Sequence, residues 1–140
     1  MKSKKLKKIF ARATQLTPEE QISLLSGNDS EKAMKIYLKR CGLCKEAQLK
    51  MLEMPNALQL LDIYAQRYWL SKDAEMRMLE HQKSAEMLKT YSKNRRLSYE
   101  AQVRMLDLPN SLTLREIYSA RRNFCEQFYA ALYDRHHKEN

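Results

Sequence analysis

The stretch Leu97-Ser98-Tyr99-Glu100-Ala101-Gln102-Val103-Arg104-Met105-Leu106-Asp107-Leu108-Pro109-Asn110-Ser111-Leu112, continued to Ile117-Tyr118, decides the fold. The same phrase starts at Leu16, Leu43 and Leu70, so it recurs every 27 residues. A fixed period of this length marks a repeat architecture, in which each unit buries its apolar face against its neighbours. Counting from that first Leu, position 1 is Leu16, Leu43, Leu70 and Leu97. Positions 9 and 10 are Leu24-Leu25, Met51-Leu52, Met78-Leu79 and Met105-Leu106, and position 22 is Tyr37, Tyr64, Tyr91 and Tyr118. Position 5 is Ala47, Ala74 and Ala101, with Glu20 breaking the pattern in the first copy. At 3.6 residues per turn, positions 1, 5, 9 and 10 share one helix face. Positions 18, 19, 21 and 22, as in Leu60, Leu61, Ile63 and Tyr64, do the same for a second helix.

Start and stop signals agree with two helices per copy. Thr17, Ser71 and Ser98 are N-cap residues for the first helix, and Thr17-Pro18-Glu19-Glu20 adds Pro at N1 and a capping-box Glu. Cys44 is a weaker cap. Pro55-Asn56 and Pro109-Asn110 break the chain between helices, because Pro cannot donate into the helix and Asn can cap the next one. Gly27-Asn28-Asp29-Ser30 makes the same break, and His81-Gln82-Lys83-Ser84 makes it least clearly.

Outward from the four copies, Leu6, Ile9 and Phe10 fall at positions 18, 21 and 22, the second helix of an incomplete copy. Phe124, Phe128, Leu132 and Tyr133 fall at positions 1, 5, 9 and 10, the first helix of another. The spacing therefore predicts an all-α chain of about ten short helices, stacked as antiparallel hairpins. One repeat domain spans 1–140: a half repeat at 1–15, full repeats at 16–42, 43–69, 70–96 and 97–123, a half repeat at 124–135, and a tail at 136–140 expected to fray.

With 2 Gly and 3 Pro in 140 residues there is little room for long loops, and no alternating strand pattern occurs. No apolar run reaches the roughly 18 residues of a membrane span, and the Lys-rich start lacks the apolar core of a signal peptide. The expectation is a cytoplasmic protein with no membrane partner. The paired helices resemble the α-solenoid class, in a compact HEAT-like form. That resemblance concerns architecture, and it implies an extended surface that binds another protein.

Chemistry is thinly signalled. Cys41-Gly42-Leu43-Cys44 is a CxxC, but zinc needs four ligands and no second pair stands at suitable spacing. Ordinary thiols at a hairpin junction are expected, with no metal and no cofactor. The tyrosine column reads as core, with Phe10 in the same column implying that its hydroxyl is dispensable. There is no Gly-rich phosphate loop, HExxH or G-x-S-x-G, so no catalytic residue is assigned and an enzyme is not expected.

Charge alone names a partner. Of the net +9, six cations and no acid lie in residues 1–15, including Lys2, Lys4, Lys5, Lys7 and Lys8. Within the repeats, Lys50, Arg77 and Arg104 share position 8, with acids three or four residues away, the pattern of a solvated, ion-paired face. Less compensated are Arg40, Arg67 and Arg121 at position 25, joined by Arg95, Arg96 and Arg122. Cations there complement the negative ends of second helices, or form a basic edge able to bind phosphate. The expected function is a protein-protein interaction module. The alternative is a nucleic-acid-binding repeat protein using the Lys-rich first helix and the arginine edge. A third role, end-to-end stacking of the terminal half repeats, is purely structural.

Overall fold

The computed structural model describes residues 15–138; the Lys-rich N-terminal half repeat, with its five lysines and Leu6, Ile9 and Phe10, lies outside them. The described residues form an all-α, repeat-like fold without strands. Nine α-helices follow in chain order among them: α1 Pro18–Leu25, α2 Ser30–Tyr37, α3 Lys45–Glu53, α4 Ala57–Ala65, α5 Lys72–Glu80, α6 Ser84–Ser92, α7 Tyr99–Arg104, α8 Ser111–Ser119 and α9 Glu126–Lys138. A 3-10 turn, Met105–Asp107, continues α7. None of the described helices is long and apolar enough to cross a membrane.

Packing divides the chain into two units, 1–74 and 75–140, with the boundary inside α5. In the first unit α1 packs on α2 and α3, α2 on α4, and α3 on α4. In the second, α6 packs on α8, and α7 on α9. Within each unit these helices meet their hairpin partner or the equivalent helix one repeat on, as a 27-residue apolar period demands.

The local signals work as expected at the first helices. Thr17 and Glu20 form a reciprocal capping box, with Thr17 N donating to Glu20 Oε1 at 2.9 Å and Glu20 N to Thr17 Oγ1 at 3.2 Å. Ser71 and Ser98 accept from Ala74 N and Ala101 N, each at 3.2 Å, whereas Cys44 makes no side-chain cap. The His81–Lys83 break closes like the others, with His81 Nδ1 accepting from Lys83 N at 3.0 Å.

At the second helices the expected asparagine caps do not form. Asn56 and Asn110 have the wrong backbone for capping and instead reach the preceding hairpin. Asn56 Nδ2 donates to Ser30 Oγ and Glu31 Oε2, both at 3.2 Å, and Asn110 Nδ2 donates to Ser84 Oγ at 3.0 Å. The ion pairs Lys45–Asp73 (3.2 Å), Arg104–Glu80 (3.6 Å) and Arg135–Asp107 (2.7 Å) also join successive first helices. All six side chains are well exposed, so each pair adds at most about 1 kcal/mol.

The core follows the columns. Ala47, Met51, Leu52, Ala74, Met78, Ala101 and Met105 are fully buried, as are Leu60, Leu61, Met87, Leu88 and Leu114 on second helices. Burying a side chain of Leu or Met size contributes about 1.5–3 kcal/mol. Position 21 departs from this, and so does the C-terminal end, where Leu106, Phe124 and Leu132 are half-buried and Tyr133 is 61% exposed. At position 21, Ile36 is 40% exposed, and Ile63, Thr90 and Ile117 are half-buried. A helix of eight or nine residues buries one narrow stripe, and position 21 lies at its edge. At the C-terminal end α9 runs through His136 and His137 to Lys138. The His137 ring stacks on Tyr133 at 3.7 Å and contacts the Tyr133 carbonyl at 2.9 Å.

Candidate interaction edge and the ladder that positions it

The edge formed by second-helix C-termini is set by one recurring turn. In every repeat the tyrosine carbonyl at position 22 accepts from the amides of positions 25 and 26. These are Arg40 and Cys41 at Tyr37 (3.0 and 3.2 Å), and Arg67 and Tyr68 at Tyr64 (3.1 and 2.9 Å). Asn94 and Arg95 repeat the pattern at Tyr91 (3.2 and 3.0 Å), and Arg121 and Arg122 at Tyr118 (3.0 and 2.9 Å). This turn releases the chain into an extended segment that enters the next first helix.

A buried polar ladder fixes the turn to its neighbours. Position 6 is Gln21, Gln48, Glu75 and Gln102, between 1% and 6% exposed. Gln48 Nε2 donates to the Leu43 carbonyl (2.8 Å) and to Tyr64 Oη (3.2 Å), while its Oε1 accepts from Ser71 N of the next repeat (2.7 Å). Gln21 makes the same set with Leu16, Tyr37 and Cys44. Gln102 repeats it with the Leu97 carbonyl and with Cys125 N. The tyrosine hydroxyl also accepts from the backbone, from Leu16 N at Tyr37 (3.2 Å) and from Leu97 N at Tyr118 (3.1 Å). The hydroxyl is therefore not dispensable in these repeats: it closes a circuit whose opening would strand buried groups.

Glu75 carries the rung as an acid, accepting from Ser98 N (3.0 Å) and Ser98 Oγ (2.7 Å). Because a carboxamide serves this position in the other three copies, Glu75→Gln is expected to fold with stability within about 1 kcal/mol of the parent. A denaturant melt displaced by several times that would show that the acid has a separate role.

Burial of the ladder raises the hydroxyl pKa of Tyr37 and Tyr118, and pushes that of Tyr64 up to about 12 from the usual 10.0. The fold favours the neutral phenol, so this contribution is complete below about pH 10 and is lost as pH rises through 10 towards 12. Thermal melts stepped through this range should show falling stability, with a shallower fall in Tyr64→Phe. Equal slopes for the two proteins would exclude Tyr64 as a source.

The arginines of the edge divide into two kinds. Position 26 is a strap in the second and fourth copies. Tyr68 Oη donates to the Leu38 carbonyl at 2.9 Å, and Arg122 donates from Nε to the Ser92 carbonyl (3.0 Å) and from Nη2 to the Lys93 carbonyl (3.2 Å). Arg122 therefore neutralises the C-terminal end of α6, and half-buried Arg95 shares its position. Arg40 and Arg67 in the first unit, and Arg96 and Arg121 in the second, are exposed. Two aromatic side chains within three residues of these arginines in the sequence are exposed, Trp69 at 61% and Tyr99 at 52%.

The other candidates separate from this edge. Cys41, Cys44 and Cys125 are free, half-buried thiols. Among the described residues no group of three or more His, Cys, Asp or Glu side chains could hold a metal ion. A surface cleft of about 390 Å³ in the second unit lies between interhelix turns, lined by His81, Arg104 and Pro109 among others, and includes no arginine of the edge. The turn and the ladder were not read from the sequence. Their signal was present in the recurrence of Gln or Glu at position 6 in all four copies, next to the buried position 5. No protein-family model, curated protein or solved structure matches the chain.

Proposed function

We propose that the chain is a non-enzymatic α-solenoid of compact HEAT-like form, working in the cytoplasm as a protein-interaction module. The observation supporting this is the position-21 column. Ile36, Ile63 and Ile117 are partly exposed, and each is carried on a short helix that tertiary packing holds in place. Rigid presentation of apolar side chains lowers the ordering cost of binding, which is how helical repeats gain affinity from modest contacts. Leu112, also on α8, is 69% exposed and is a further apolar side chain presented on that helix.

The test compares parent, Ile36→Glu and Leu112→Glu as affinity baits. These are surface changes, worth about 0.5 kcal/mol of stability or less. A protein retained by the parent, lost with either variant and rebound as a purified species supports the reading. Identical retention by all three baits, or saturable turnover of a small molecule, would overturn it.

A second reading, nucleic-acid binding, is favoured by the exposed arginines of the position 25 to 27 turns together with exposed Trp69 and Tyr99. Its test is retention of nucleic acid that weakens with salt, since each neutralised phosphate releases counterions.

A further inference from the structure

Two turns of the second unit concentrate cations beyond what their helices require. Residues 93–99 and 120–125 contain Lys93, Arg95, Arg96, Arg121 and Arg122 and no acid. The two turns adjoin, because Arg122 donates to the Ser92 and Lys93 carbonyls at 3.0 and 3.2 Å. Arg96 and Arg122 also act together on the Tyr118 hydroxyl, both lowering a pKa that burial raises. Each helix C-terminus carries about half a negative charge, so α6 and α8 together offset about one of the five cations. Against these cations stand three acids: Glu75, whose buried carboxylate accepts from Ser98 N and Oγ and acts on the same Tyr118 hydroxyl, and Glu100 and Glu126 at the starts of the next helices. About one positive charge remains in excess, and the cations Lys93, Arg96 and Arg121 are the exposed ones, whereas Glu75 is buried and Glu100 half-buried. Tyr99, three residues beyond Arg96, is 52% exposed.

We infer that these paired turns bind single-stranded nucleic acid, with Lys93, Arg96 and Arg121 on phosphates and Tyr99 as a stacking platform for a base. The inference rests on the nucleic-acid reading above and names its site and substrate class. Arg122 is a positioning residue, since its guanidinium is committed to holding the two turns together. An exposed aromatic close to arginines in the sequence favours a single strand, because only unpaired bases offer a face for stacking, whereas a duplex would meet the cations alone.

The experiment titrates the full chain against a fluorescent uridine-only RNA of about 12 nucleotides and a DNA duplex of matched length, at about 50 and about 200 mM salt. Three variants are compared: Lys93→Glu/Arg96→Glu/Arg121→Glu, Tyr99→Ala, and Glu at Lys2, Lys4, Lys5, Lys7 and Lys8. Circular dichroism confirms that each is folded. The expected result is preference for the RNA over the duplex, with the triple variant weaker by about 100-fold and its salt slope reduced by about 2, at roughly 0.7 per contact. Tyr99→Ala should weaken binding about tenfold without changing the slope. If the lysine variant loses binding while the triple variant keeps it, the chain binds nucleic acid but not at these turns. Tighter binding of the duplex, or an unaffected Tyr99→Ala, overturns the single-strand assignment. Absence of binding to either probe at about 50 mM salt overturns the nucleic-acid reading itself.

Discussion

Replacing Gln48 with Ala is expected to destabilise the fold by about 3–6 kcal/mol. The side chain is 6% exposed and serves three partners: the Leu43 carbonyl, Tyr64 Oη and Ser71 N. Truncation leaves all three without this partner in a site that water enters poorly, at about 1–2 kcal/mol for each neutral group left unsatisfied, the lower part of the usual range. The loss couples two levels of structure. The first two bonds close the Gln48 hairpin, and the third fixes the entry of the following repeat. Equilibrium denaturation of the parent, Gln48→Ala and Tyr64→Phe, with the double variant, gives the test. Single effects that fail to add would show the Gln–Tyr circuit acting as a unit. A cost below about 1 kcal/mol for Gln48→Ala would mean that the ladder is incidental to stability.

Phe128→Ala is expected to cost about 3–5 kcal/mol, with its effect concentrated in α9. Phe128 is 1% exposed and stacks on Phe124 at 3.8 Å, and Phe124 packs against Tyr118 at 5.3 Å. This aromatic column ties α9 to the end of α8, and α9 otherwise packs on α7. The Arg135–Asp107 pair also links α9 to the turn after α7, but both side chains are more than one-third exposed, which limits its contribution. Amide hydrogen exchange should therefore show residues 126–138 losing protection first, with α6 and α8 falling less. Uniform loss across the second unit would instead identify Phe128 as part of a single cooperative core.

How much of this was readable follows from which interactions are local. The 27-residue period, the helix pairs and the first-helix caps depend on residues a few positions apart, so Thr17 with Glu20 and the Leu-Met-Ala columns could be placed from spacing alone. The arginine edge was legible as a charge pattern, but its division into straps and exposed cations was not. That division depends on partners about 30 residues away, as for Arg122 with Ser92 and Tyr68 with Leu38. Ile36 and Asn56 were misread for a related reason. Periodicity gives the angle of a side chain around its own helix, whereas exposure and capping depend on the neighbouring hairpin.

By itself the sequence determined that the described residues fold as helical repeats and where the first helix of each full repeat begins, because apolar period, proline breaks and first-helix caps act within one turn or one repeat. Tertiary structure alone decided what the polar side chains do. Gln21, Gln48, Glu75 and Gln102 would be ordinary surface residues on isolated helices. They become buried ladder rungs once the next repeat brings its backbone amide within about 3 Å, where a paired hydrogen bond outweighs the desolvation of both groups.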